Sequence, residues 1–507
     1  MSTGHAGKGR ANLASIIDPH PAEAVAFISS GEVTTYGDLR QQVAGLRGGL
    51  VGLGIQPGDR VALLMAANWY FVASYLAVLG VGAVAVPLNP QSPSAEIARE
   101  LEAVQASAVF VGPTGQAAFG AIDRAAAGVR RVLVPEGVTL PDALSIEDLL
   151  VTDPVPVVDR SADDLATLMF TSGTAGSPKA AMLTHGNLLS NIEQVQDGYG
   201  AIHADDVALG ALPIFHIYGL NASLGVTLYA GASIVLVQRF DPASALTTIR
   251  DRKITLIAGV PPMFAAWLGL PAEEARREDF ATVRLACSGA SRLDPPLAAA
   301  FEARFGLRIG EGYGLTEAAP VVTGATFPEP RVGTIGLPVP RLVVRLVDDE
   351  GEDVTIGDPG EIWVRGPNVF AGYWHDAEAT ARALTPDGWL RTGDVAVADD
   401  EGYLTIVDRA KDLIIVSGFN VYPGEVEDVL RQHPGVFEVA VVGVAHPHTG
   451  ESVKAFVVPK PDRMLEEDDL IAFCGNELSR YKCPTKVLFV ESLPIGVGGK
   501  VLRRELR

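Results

Sequence analysis

The first 150 residues alternate between two kinds of hydrophobic pattern. Helical periodicity, with apolar side chains every three or four positions, runs through TTYGDLRQQVAGLRGGLVGLGI, and a short apolar run, VALLMA, follows. The same order recurs in SAEIARELEAVQASAVFVG and in AIDRAAAGVRRVLVP, where a predicted helix precedes a β-branched run. Helices that alternate with fully apolar strands are typical of a parallel sheet covered on both faces. The pattern therefore predicts an α/β fold.

One uncharged run, residues 61–88, is long enough to raise the question of a membrane span. Gly80, Gly82 and Pro87 interrupt it, and Asn68 lies inside it. A strand (VALLMA), a buried helix (NWYFVASYLAVLG) and a second strand (AVAVPL) account for the whole run as part of the α/β core. We therefore predict no transmembrane segment.

Farther along the chain the alternation continues and then changes. LTHGNLLSNIEQVQDGYG predicts a helix, and residues 207–212 predict a strand. Between residues 333 and 364, short β runs separated by DDEG and GDPG predict antiparallel structure that resembles a small barrel. After Lys411, two strand patterns, VFEVAVVGVAHPHTG and ESVKAFVVPK, and a helix pattern, EEDDLIAFCGNELSRY, predict a compact α+β domain.

Length and composition limit the classes of protein. A chain of 507 residues is too long for one hydrophobic core, so we expect at least two domains. The net charge of −21 disfavours binding to nucleic acid and repels an anionic membrane surface, so an anionic ligand must be bound by a local cluster of donors. Cys287, Cys474 and Cys483 lack C-x-x-C spacing, and the N-terminus lacks the apolar segment of a secretory signal. We expect a cytoplasmic protein.

The strongest candidate chemistry lies in FTSGTAGSPKAAMLTHGN, residues 170–187. Hydroxyl side chains alternate with glycines ahead of Lys179, and glycines allow backbone N–H groups to point toward an anion. The segment is therefore a candidate phosphate-binding loop, although its glycine spacing differs from that of the G-x-x-x-x-G-K-[ST] loop. Taken alone, it could equally be a surface turn rich in glycine and serine.

Four further segments follow in a fixed order: EGYGLTE (311–317), RTGD (391–394), DRAKDLIIVSGFNVYPGEVE (408–427) and LPIGVGGK (493–500). Together with the loop they resemble the motifs of the adenylate-forming superfamily, which includes acyl-CoA synthetases, plant aryl-CoA ligases, luciferases and peptide-synthetase adenylation domains. The resemblance spans nearly the whole chain. It implies a large N-terminal adenylating domain, residues 1–410, and a small mobile C-terminal domain, residues 411–507, with a hinge at Lys411.

The resemblance implies an ATP site. Activation of a carboxylate by ATP brings anions together, so their charge must be neutralised before attack. The implied ligands of the β- and γ-phosphates are Thr171, Ser172, Gly173, Thr174 and Lys179. The family more often has Thr and Gly where this chain has Ala175 and Ala180, so one hydroxyl of the usual set is absent.

The EGYGLTE segment is implied to hold the adenine and a metal ion. An aromatic ring between glycines suits a flat base, and SGAS (288–291) would form the opposite wall of the base site. The implied base-binding residues are Gly289, Ala290, Glu311 and Tyr313. Thr316 would contact the α-phosphate, and Glu317 would bind Mg²⁺, a hard cation that prefers carboxylate oxygen. Judged alone, Glu317 could instead cap a following helix.

Four more residues acquire roles through the resemblance. Asp394 and Arg409 are implied contacts to the ribose hydroxyls, although Asp394 alone would be an ordinary turn residue. Gly418 would leave space for the pantetheine arm of CoA, and its alternative is a plain turn glycine. Lys500, otherwise a solvated lysine near the end of the chain, would reach the carboxylate and phosphate oxygens during adenylation.

The acyl pocket is predicted in LPIFHIYGLNASLG. His216 corresponds to the gate of the pocket in plant aryl-CoA ligases and luciferase-like ligases, and a histidine of the core is the alternative. Small residues nearby would leave an elongated apolar cavity, and they are Gly219, Ala222, Gly225 and Gly324.

These features predict an AMP-forming acyl-CoA ligase with Mg²⁺, ATP and coenzyme A as cofactor and cosubstrates. A medium- or long-chain fatty acid is the preferred substrate, and an aryl, coumarate-like acid is the alternative. A stand-alone adenylating enzyme that loads a separate carrier protein also stays open. A catalytically inactive acyl-binding protein is disfavoured by the joint presence of Lys179, Glu317, Asp394 and Lys500. Peripheral membrane contact and a homodimer stay open.

Overall fold

The computed structural model describes residues 12–506 apart from 172–178, 199, 349, 410, 411, 413, 417, 418, 447–449, 462, 479 and 497–500. The chain forms two compact units, Met1–Val343 with Val364–Leu390, and Val344–Trp363 with Arg391–Arg507. Lys411, the predicted hinge, lies outside the described residues, and the predicted domain boundary stays a prediction.

Most of the strands are short. As far as residue 338 they are β1 (Val25–Ser29), β2 (Glu32–Thr35), β3 (Arg60–Leu64), β4 (Val84–Pro87), β5 (Ala108–Val111), β6 (Arg131–Val134), β7 (Leu144–Ser145), β8 (Leu165–Thr171), β9 (Lys179–Thr184), β10 (Val207–Gly210), β11 (Ser233–Leu236), β12 (Leu256–Gly259), β13 (Leu285–Ser288), β14 (Ile309–Glu311), β15 (Tyr313–Gly314), β16 (Val321–Gly324) and β17 (Leu337–Pro338). The later strands are β18 (Val343–Val347), β19 (Gly360–Arg365), β20 (Leu390–Ala398), β21 (Leu404–Arg409), β22 (Ile414–Val416), β23 (Phe419–Val421), β24 (Val436–His446), β25 (Gly450–Pro459) and β26 (Lys486–Phe489).

The α-helices are α1 (Tyr36–Gly52), α2 (Trp69–Gly80), α3 (Ser94–Val104), α4 (Gln116–Gly120), α5 (Ile146–Leu150), α6 (His185–Gln196), α7 (Val226–Tyr229), α8 (Pro242–Asp251), α9 (Pro261–Gly269), α10 (Pro295–Phe305), α11 (Ala377–Ala383), α12 (Pro423–Arg431) and α13 (Glu467–Glu477). A π-helical segment, Tyr218–Gly225, runs directly into α7. The 3-10 helices are Leu13–Ile17, Pro113–Gly115, Arg277–Phe280, Thr316–Ala318, which follows β15, and Arg503–Glu505 among the described residues.

Two seven-stranded sheets in the first unit share one spatial pattern, although the antiparallel hairpin at the edge comes last in the chain in one sheet and first in the other. The first is β7-β6-β5-β3-β4-β8-β9, and the second is β14-β13-β12-β10-β11-β1-β2. In each, five strands run parallel, and a sixth parallel strand carries an antiparallel partner at the edge. In open parallel sheets ligands bind beyond the carboxyl ends of the strands where the order reverses. In the second sheet that position lies between β10 and β12, which is therefore a candidate ligand-binding crevice. The two mainly parallel sheets confirm the predicted α/β fold.

The uncharged run is built from β3, α2 and β4, as the hydrophobic pattern predicts. Asn68, the polar residue within it, is the N-cap of α2, and its side-chain oxygen accepts a hydrogen bond from the N–H of Phe71 at 3.1 Å. The cap satisfies one of the backbone donors that a helix start leaves without a partner. Among the described residues, no helix combines the length and the apolar character that a membrane crossing needs.

One predicted helix does not form. Residues 121–128, AIDRAAAG, form turns, and the preceding helix α4 ends at Gly120. The side-chain oxygen of Asp123 accepts hydrogen bonds from the N–H groups of Ala125 and Ala126, which gives this backbone an alternative to helix. Gly128, with φ of +76°, ends the segment in the left-handed region before β6.

The second unit contains two sheets. The first, β18-β19-β20-β21, corresponds to the predicted barrel-like part. The second, β23-β22-β25-β24 with β26 paired to β25, has a hydrophobic core on each face. One core includes side chains of α12 and α13, such as Leu430 and Leu470, and the other includes Leu493 and Leu506 near the C-terminus. The predicted α+β character of this part is confirmed.

Candidate active site

The candidate phosphate-binding loop connects β8 to β9 in the chain, and these two strands pair antiparallel. Thr171, the last residue of β8, pairs with Lys179, the first residue of β9, and the Thr171 hydroxyl donates to the Lys179 carbonyl at 3.4 Å. The two ends of the loop therefore meet across one antiparallel ladder. Ser172, Gly173 and Thr174 lie outside the described residues, and their predicted phosphate contacts stay predictions.

Residues 371–374 pair with β9 through an isolated antiparallel bridge between Tyr373 and Ala181. The N–H of Met182 donates to the Gly372 carbonyl and the N–H of Trp374 donates to the Ala180 carbonyl, at 2.9 and 2.8 Å. This pairing places the ring of Tyr373 beside Lys179, whose Nζ lies 5.2 Å from the ring centroid. An ammonium group at this distance from an aromatic ring is attracted to it.

Tyr373 also contacts Glu317. Its phenolic Oη donates a hydrogen bond to Glu317 Oε1 at 2.6 Å. Burial, followed by the neighbouring Glu317 charge, raises the pKa of the Tyr373 phenol well above its usual value, so the phenol keeps its proton and acts as a donor. The predicted phosphate lysine and the predicted metal ligand therefore contact one side chain, which the sequence motifs do not single out. Its only sequence signal is an aromatic residue in AGYW, a pattern without a distinctive spacing.

Glu317 lies in the 3-10 helix Thr316–Ala318, whose C-cap is Ala319 and which leads to β16. The interpretation of Glu317 as the cap of a following helix is therefore wrong. Two buried amides hold this turn: Asn368 Nδ2 donates to the Ala318 carbonyl and Asn221 Nδ2 donates to the Ala319 carbonyl, each at 2.7 Å. A short turn fixed at both carbonyls can hold a side chain in one direction without a long helix.

The residues around Glu317 fit a Mg²⁺ ion. Oε1 accepts the Tyr373 hydrogen bond, and within the described chain no basic side chain forms an ion pair with this carboxylate. A half-buried carboxylate whose charge has no cationic partner suits a hard cation, and Mg²⁺ in nucleotide sites usually has one or two carboxylate ligands together with substrate phosphates. Thr316, with a hydroxyl oxygen, is adjacent in the chain.

The predicted walls of the base site come from neighbouring strands. Ser288 at the end of β13 pairs with Glu311 at the end of β14, and the N–H of Gly312 donates to the Ser288 carbonyl at 3.0 Å. The residues that follow each strand, Gly289 and Ala290 after β13 and Tyr313 after β14, therefore leave the sheet at the same edge. Ala290 has φ of +66°, a left-handed conformation that is uncommon for alanine and that recurs at functional sites.

Glu311 has a defined backbone partner in the same region. Its Oε1 accepts a hydrogen bond from the N–H of Leu293 at 3.1 Å, and the residue is 9% exposed. Burial raises the pKa of this carboxyl to about 7. Glu311 therefore anchors the SGASRL loop to β14, a local role that the motif resemblance does not mention.

Tyr218 packs under this loop. A Cβ atom on Gly289 would lie 3.1 Å from the Tyr218 ring, so the ring contacts the glycine backbone directly. Burial raises the pKa of the Tyr218 phenol, and it raises that of the neighbouring Cys287 thiol to about 12, so both groups are neutral. Sequence reasoning did not identify this aromatic support, since Tyr218 lies far from SGAS along the chain.

His216 is exposed, and the core-histidine alternative is therefore wrong. It lies on the connection after β10, at the sheet edge where the strand order reverses. Its Nδ1 accepts a hydrogen bond from the N–H of Tyr218 at 3.2 Å, so the imidazole contacts the first residue of the π-helical segment.

The predicted acyl cavity needs a correction. A Cβ atom on Gly219 would lie 2.3 Å from the Pro213 carbonyl oxygen, and one on Gly225 would lie 3.0 Å from Asn221 Oδ1. These two glycines therefore serve close packing of the π-helical segment and do not open space for an acyl chain. Gly324 has no atom within 4 Å of its Cβ position and remains a candidate lining residue with Ala222.

The second unit brings the two predicted ribose contacts together. Asp394 in β20 and Arg409 in β21 are directly paired residues, and only the backbone of Arg409 is described. Asp394 is 8% exposed and lies within the strand, so the ordinary-turn interpretation is wrong. Its N–H donates to the Thr392 hydroxyl at 3.1 Å, and the N–H of Gly393 donates to Glu361 Oε1 at 2.9 Å.

Gly418 and Lys500 lie outside the described residues, and their roles stay predictions. Arg503 follows Lys500 closely in the chain, and its Nη2 lies 2.7 Å from Glu427 Oε1, an oxygen that also accepts the N–H of Val441 at 2.8 Å. The Glu427 side chain is 6% exposed. The segment just after Lys500 is thus tied to α12 and β24 by a nearly buried ion pair.

Comparisons with known proteins agree with the motifs. The model of the AMP-binding enzyme family matches residues 16–374, and that of the AMP-binding enzyme C-terminal domain matches residues 425–500. The long-chain-fatty-acid–CoA ligase of Escherichia coli O157:H7 is 38% identical over 96% of this chain and 92% of its own. The feruloyl-CoA synthase of an Amycolatopsis species is also 38% identical, over 97% and 96% of the two chains. The crystal structure of ATP-bound MatB from Rhodopseudomonas palustris, 34% identical, superposes with a TM-score of 0.91 over 98% of each chain.

Proposed function

The chain belongs to the AMP-binding enzyme family, and on that premise we propose that it is an AMP-forming acyl-CoA ligase. In the first step a carboxylate oxygen of the acid attacks the α-phosphorus of ATP, the bond to the β-phosphate oxygen breaks, and pyrophosphate leaves. In the second step the sulfur of CoA attacks the acyl carbonyl carbon, the thiol proton is lost, and AMP leaves. CoA appears in the names of both kinds of relative, and membership of the AMP-binding enzyme family supports ATP as the other cosubstrate.

The observation that carries the proposal is the contact of Lys179 and Glu317 with a single side chain, Tyr373. An ammonium group that can bind phosphate and a carboxylate that can bind a metal ion, both in contact with the same tyrosine, suit a polyphosphate with a bound metal ion. Mg²⁺, when bound, neutralises phosphate charge. Lys179 would orient the phosphates as a point charge, Thr316 would donate to a phosphate oxygen, and Glu317 would supply the carboxylate ligand.

We propose a medium- or long-chain fatty acid as the substrate. The exposed position of His216 beyond β10 supports an entrance for an acid at this edge, and the open space at Gly324 in β16 is a further candidate position for the acid. Relatives named for fatty acids and for ferulic acid are equally similar at 38% identity, so an aryl acid is the second candidate. We expect the reaction to take place in the cytoplasm, where ATP and CoA are available.

The test is a screen of pyrophosphate release with ATP and Mg²⁺. Straight-chain acids from acetate to octadecanoate are compared with cinnamate-type and benzoate-type acids at equal concentration. We expect an optimum among the medium and long chains, and an optimum among the aryl acids would replace the fatty-acid assignment by the second candidate. Absence of release with every acid would refute the ligase proposal in favour of an acyl-binding protein.

The acceptor is tested separately. Radiolabelled acid is supplied with ATP and either CoA or a set of purified acyl carrier proteins, and the labelled thioester is counted. We expect label in acyl-CoA. Transfer to a carrier protein alone would show that the chain is a carrier-loading adenylating enzyme.

A further inference from the structure

Backbone hydrogen bonds and ring packing both fix the position of Tyr373. Its backbone pairs with Ala181 of β9, and its N–H donates to the Thr380 hydroxyl at 2.9 Å. Its ring meets the Phe370 ring edge-on with centroids 4.9 Å apart, and the N–H of Phe370 donates to the Glu317 carbonyl at 2.8 Å. A side chain fixed by backbone pairing and ring packing cannot move its hydroxyl group away from Glu317 at low cost.

The two polar contacts of Tyr373 use different parts of the ring. The hydroxyl at the tip reaches Glu317 Oε1 at 2.6 Å, and the π face lies 5.2 Å from Lys179 Nζ. One residue therefore fixes the direction of the Glu317 carboxylate, which lies in the turn after β15, and the position of the Lys179 ammonium, which lies in the β8–β9 hairpin. We propose that Tyr373 is a positioning residue that orients the Glu317 carboxylate toward a divalent cation and holds the Lys179 ammonium for the phosphates of the same nucleotide.

A physical consequence follows for metal affinity. A phenol O–H bound to Oε1 leaves Oε2 available to a cation and opposes rotation of the carboxylate, so the side chain would be oriented before a metal ion binds. Loss of a hydrogen-bond partner of a metal ligand typically lowers metal affinity by about 10- to 100-fold. The proposal depends on the proposed function only in requiring that a nucleotide with Mg²⁺ binds in this unit.

The structure offers a matched control for this test. Tyr70 also donates a hydrogen bond from Oη to a glutamate, Glu147, at 2.7 Å, and both partners are half-buried. Tyr70→Phe and Tyr373→Phe thus remove the same atom and the same kind of hydrogen bond at two places in one unit. Only the second change should alter the response to a divalent cation.

The probe is the α,β-methylene analogue of ATP, which binds without reaction. Its affinity is measured by calorimetry at a series of Mg²⁺ concentrations for the wild type and both variants. Mg²⁺ should raise the affinity for the analogue, and we compare the Mg²⁺ concentration that gives half of the maximal increase. We expect this concentration to be about 10- to 100-fold higher in Tyr373→Phe than in the wild type and to stay within about twofold in Tyr70→Phe. An equal Mg²⁺ dependence in Tyr373→Phe and the wild type would overturn the proposal.

Two further measurements separate positioning from folding. Melting temperatures without ligand show whether Tyr373→Phe loses more stability than Tyr70→Phe. In a Glu317→Gln background, Tyr373→Phe should add no further loss of Mg²⁺ response, because the two residues act as one unit. A full additional loss in that background would contradict the proposal even if the single variant is less stable.

The Lys179 half of the proposal has its own variant. Tyr373→Leu removes the ring as well as the hydroxyl, so binding of the analogue in EDTA should be several-fold weaker than for Tyr373→Phe. Equal affinities of the two variants in EDTA would overturn this half. The analogue binds without an acid, so a wild type that binds it but releases no pyrophosphate would refute the ligase function and leave the test of Tyr373 valid.

Discussion

The imidazole of His185, at the start of α6, is fully buried. Its Nδ1 accepts a hydrogen bond from the N–H of Leu13 at 3.1 Å, which ties the N-terminal 3-10 helix to α6. Burial, with a smaller effect of the Arg160 charge, lowers the pKa of this imidazole to about 4. The buried ring is therefore neutral at physiological pH.

This histidine should make stability depend on pH. Because its folded pKa of about 4 lies below the unfolded value of about 6.5, protons favour the unfolded chain. The stabilisation is complete above pH 6.5 and is lost as the pH falls toward 4, with a loss of about 2 kcal/mol between pH 7 and pH 5. Thermal unfolding of the wild type and His185→Gln at both pH values measures it. Equal pH dependence of the two proteins would contradict this assignment.

Glu317→Gln keeps the shape of the side chain and removes the charge proposed to bind Mg²⁺. Adenylation should fall by about 10²-fold or more, since a charged contact of several kcal/mol is lost. Pyrophosphate release at limiting Mg²⁺ measures the effect, and Glu147→Gln, at the other tyrosine–glutamate pair, serves as the control. Unchanged pyrophosphate release in Glu317→Gln would show that Glu317 has only a structural role in the 3-10 helix Thr316–Ala318.

His216→Ala tests the edge beyond β10. If the imidazole lies beside the carboxylate end of the acid, the change should alter acid preference and KM and leave the Kd for ATP nearly constant. His203→Ala, at another exposed histidine of the same unit, is the control. A parallel loss of thermal stability and activity with unchanged preference would show that His216 acts only through the start of the π-helical segment.

At the scale of elements, the ion pair of Arg503 and Glu427 fastens the C-terminal segment to α12. Arg503→Ala would leave a carboxylate that is 6% exposed with Arg431 as its remaining cationic neighbour, at 3.2 Å. We expect about 2 kcal/mol of local destabilisation, since breaking a buried pair costs more than breaking a surface pair. Faster hydrogen exchange of β24 in Arg503→Ala than in Arg431→Ala would confirm this destabilisation, and equal exchange of β24 in the two variants would refute it.

Elements with a local signal could be predicted from the sequence. The run of β3, α2 and β4 follows from consecutive apolar residues interrupted by a capping asparagine, and α6 follows from its periodicity. Residues 121–128 had the composition of a helix, yet the side chain of Asp123 competes for the same backbone donors. Local pattern alone does not show which of the two hydrogen-bonding arrangements wins.

The site was predictable only as far as its motifs reach. Lys179, Glu317 and Asp394 belong to recognisable segments, and the structure adds their neighbours. Tyr373 and Glu317 are 56 positions apart, and their contact depends on the pairing of residues 371–374 with β9. The hydrophobic pattern of the sequence does not predict this pairing. Gly219 shows the opposite error, since a missing side chain signals either a cavity or a close contact, and only coordinates distinguish them.

At the scale of the whole molecule, the second unit is predicted to serve two half-reactions in turn. Lys500→Ala should slow acyl-AMP formation by about 10²-fold or more, because it removes a cation at developing charge, and thioester formation from supplied acyl-AMP should survive. Gly418→Leu should do the reverse, since a branched side chain would block the path of the thiol. Rates of the two half-reactions, measured separately for each variant, test this alternation. Proportional losses of both steps in both variants would rule it out.

The twin sheets also determine the order in which the chain can fold as it leaves the ribosome. All strands of the first sheet, β3 to β9, lie between β2 and β10, so they emerge as one uninterrupted block. The β1–β2 hairpin precedes that block, yet its parallel partner β11 follows it. A hairpin on its own is marginally stable in water. During synthesis, therefore, β1 lacks its parallel partner until residue 236 has emerged, and its apolar side chains, such as Phe27, stay without that cover until then.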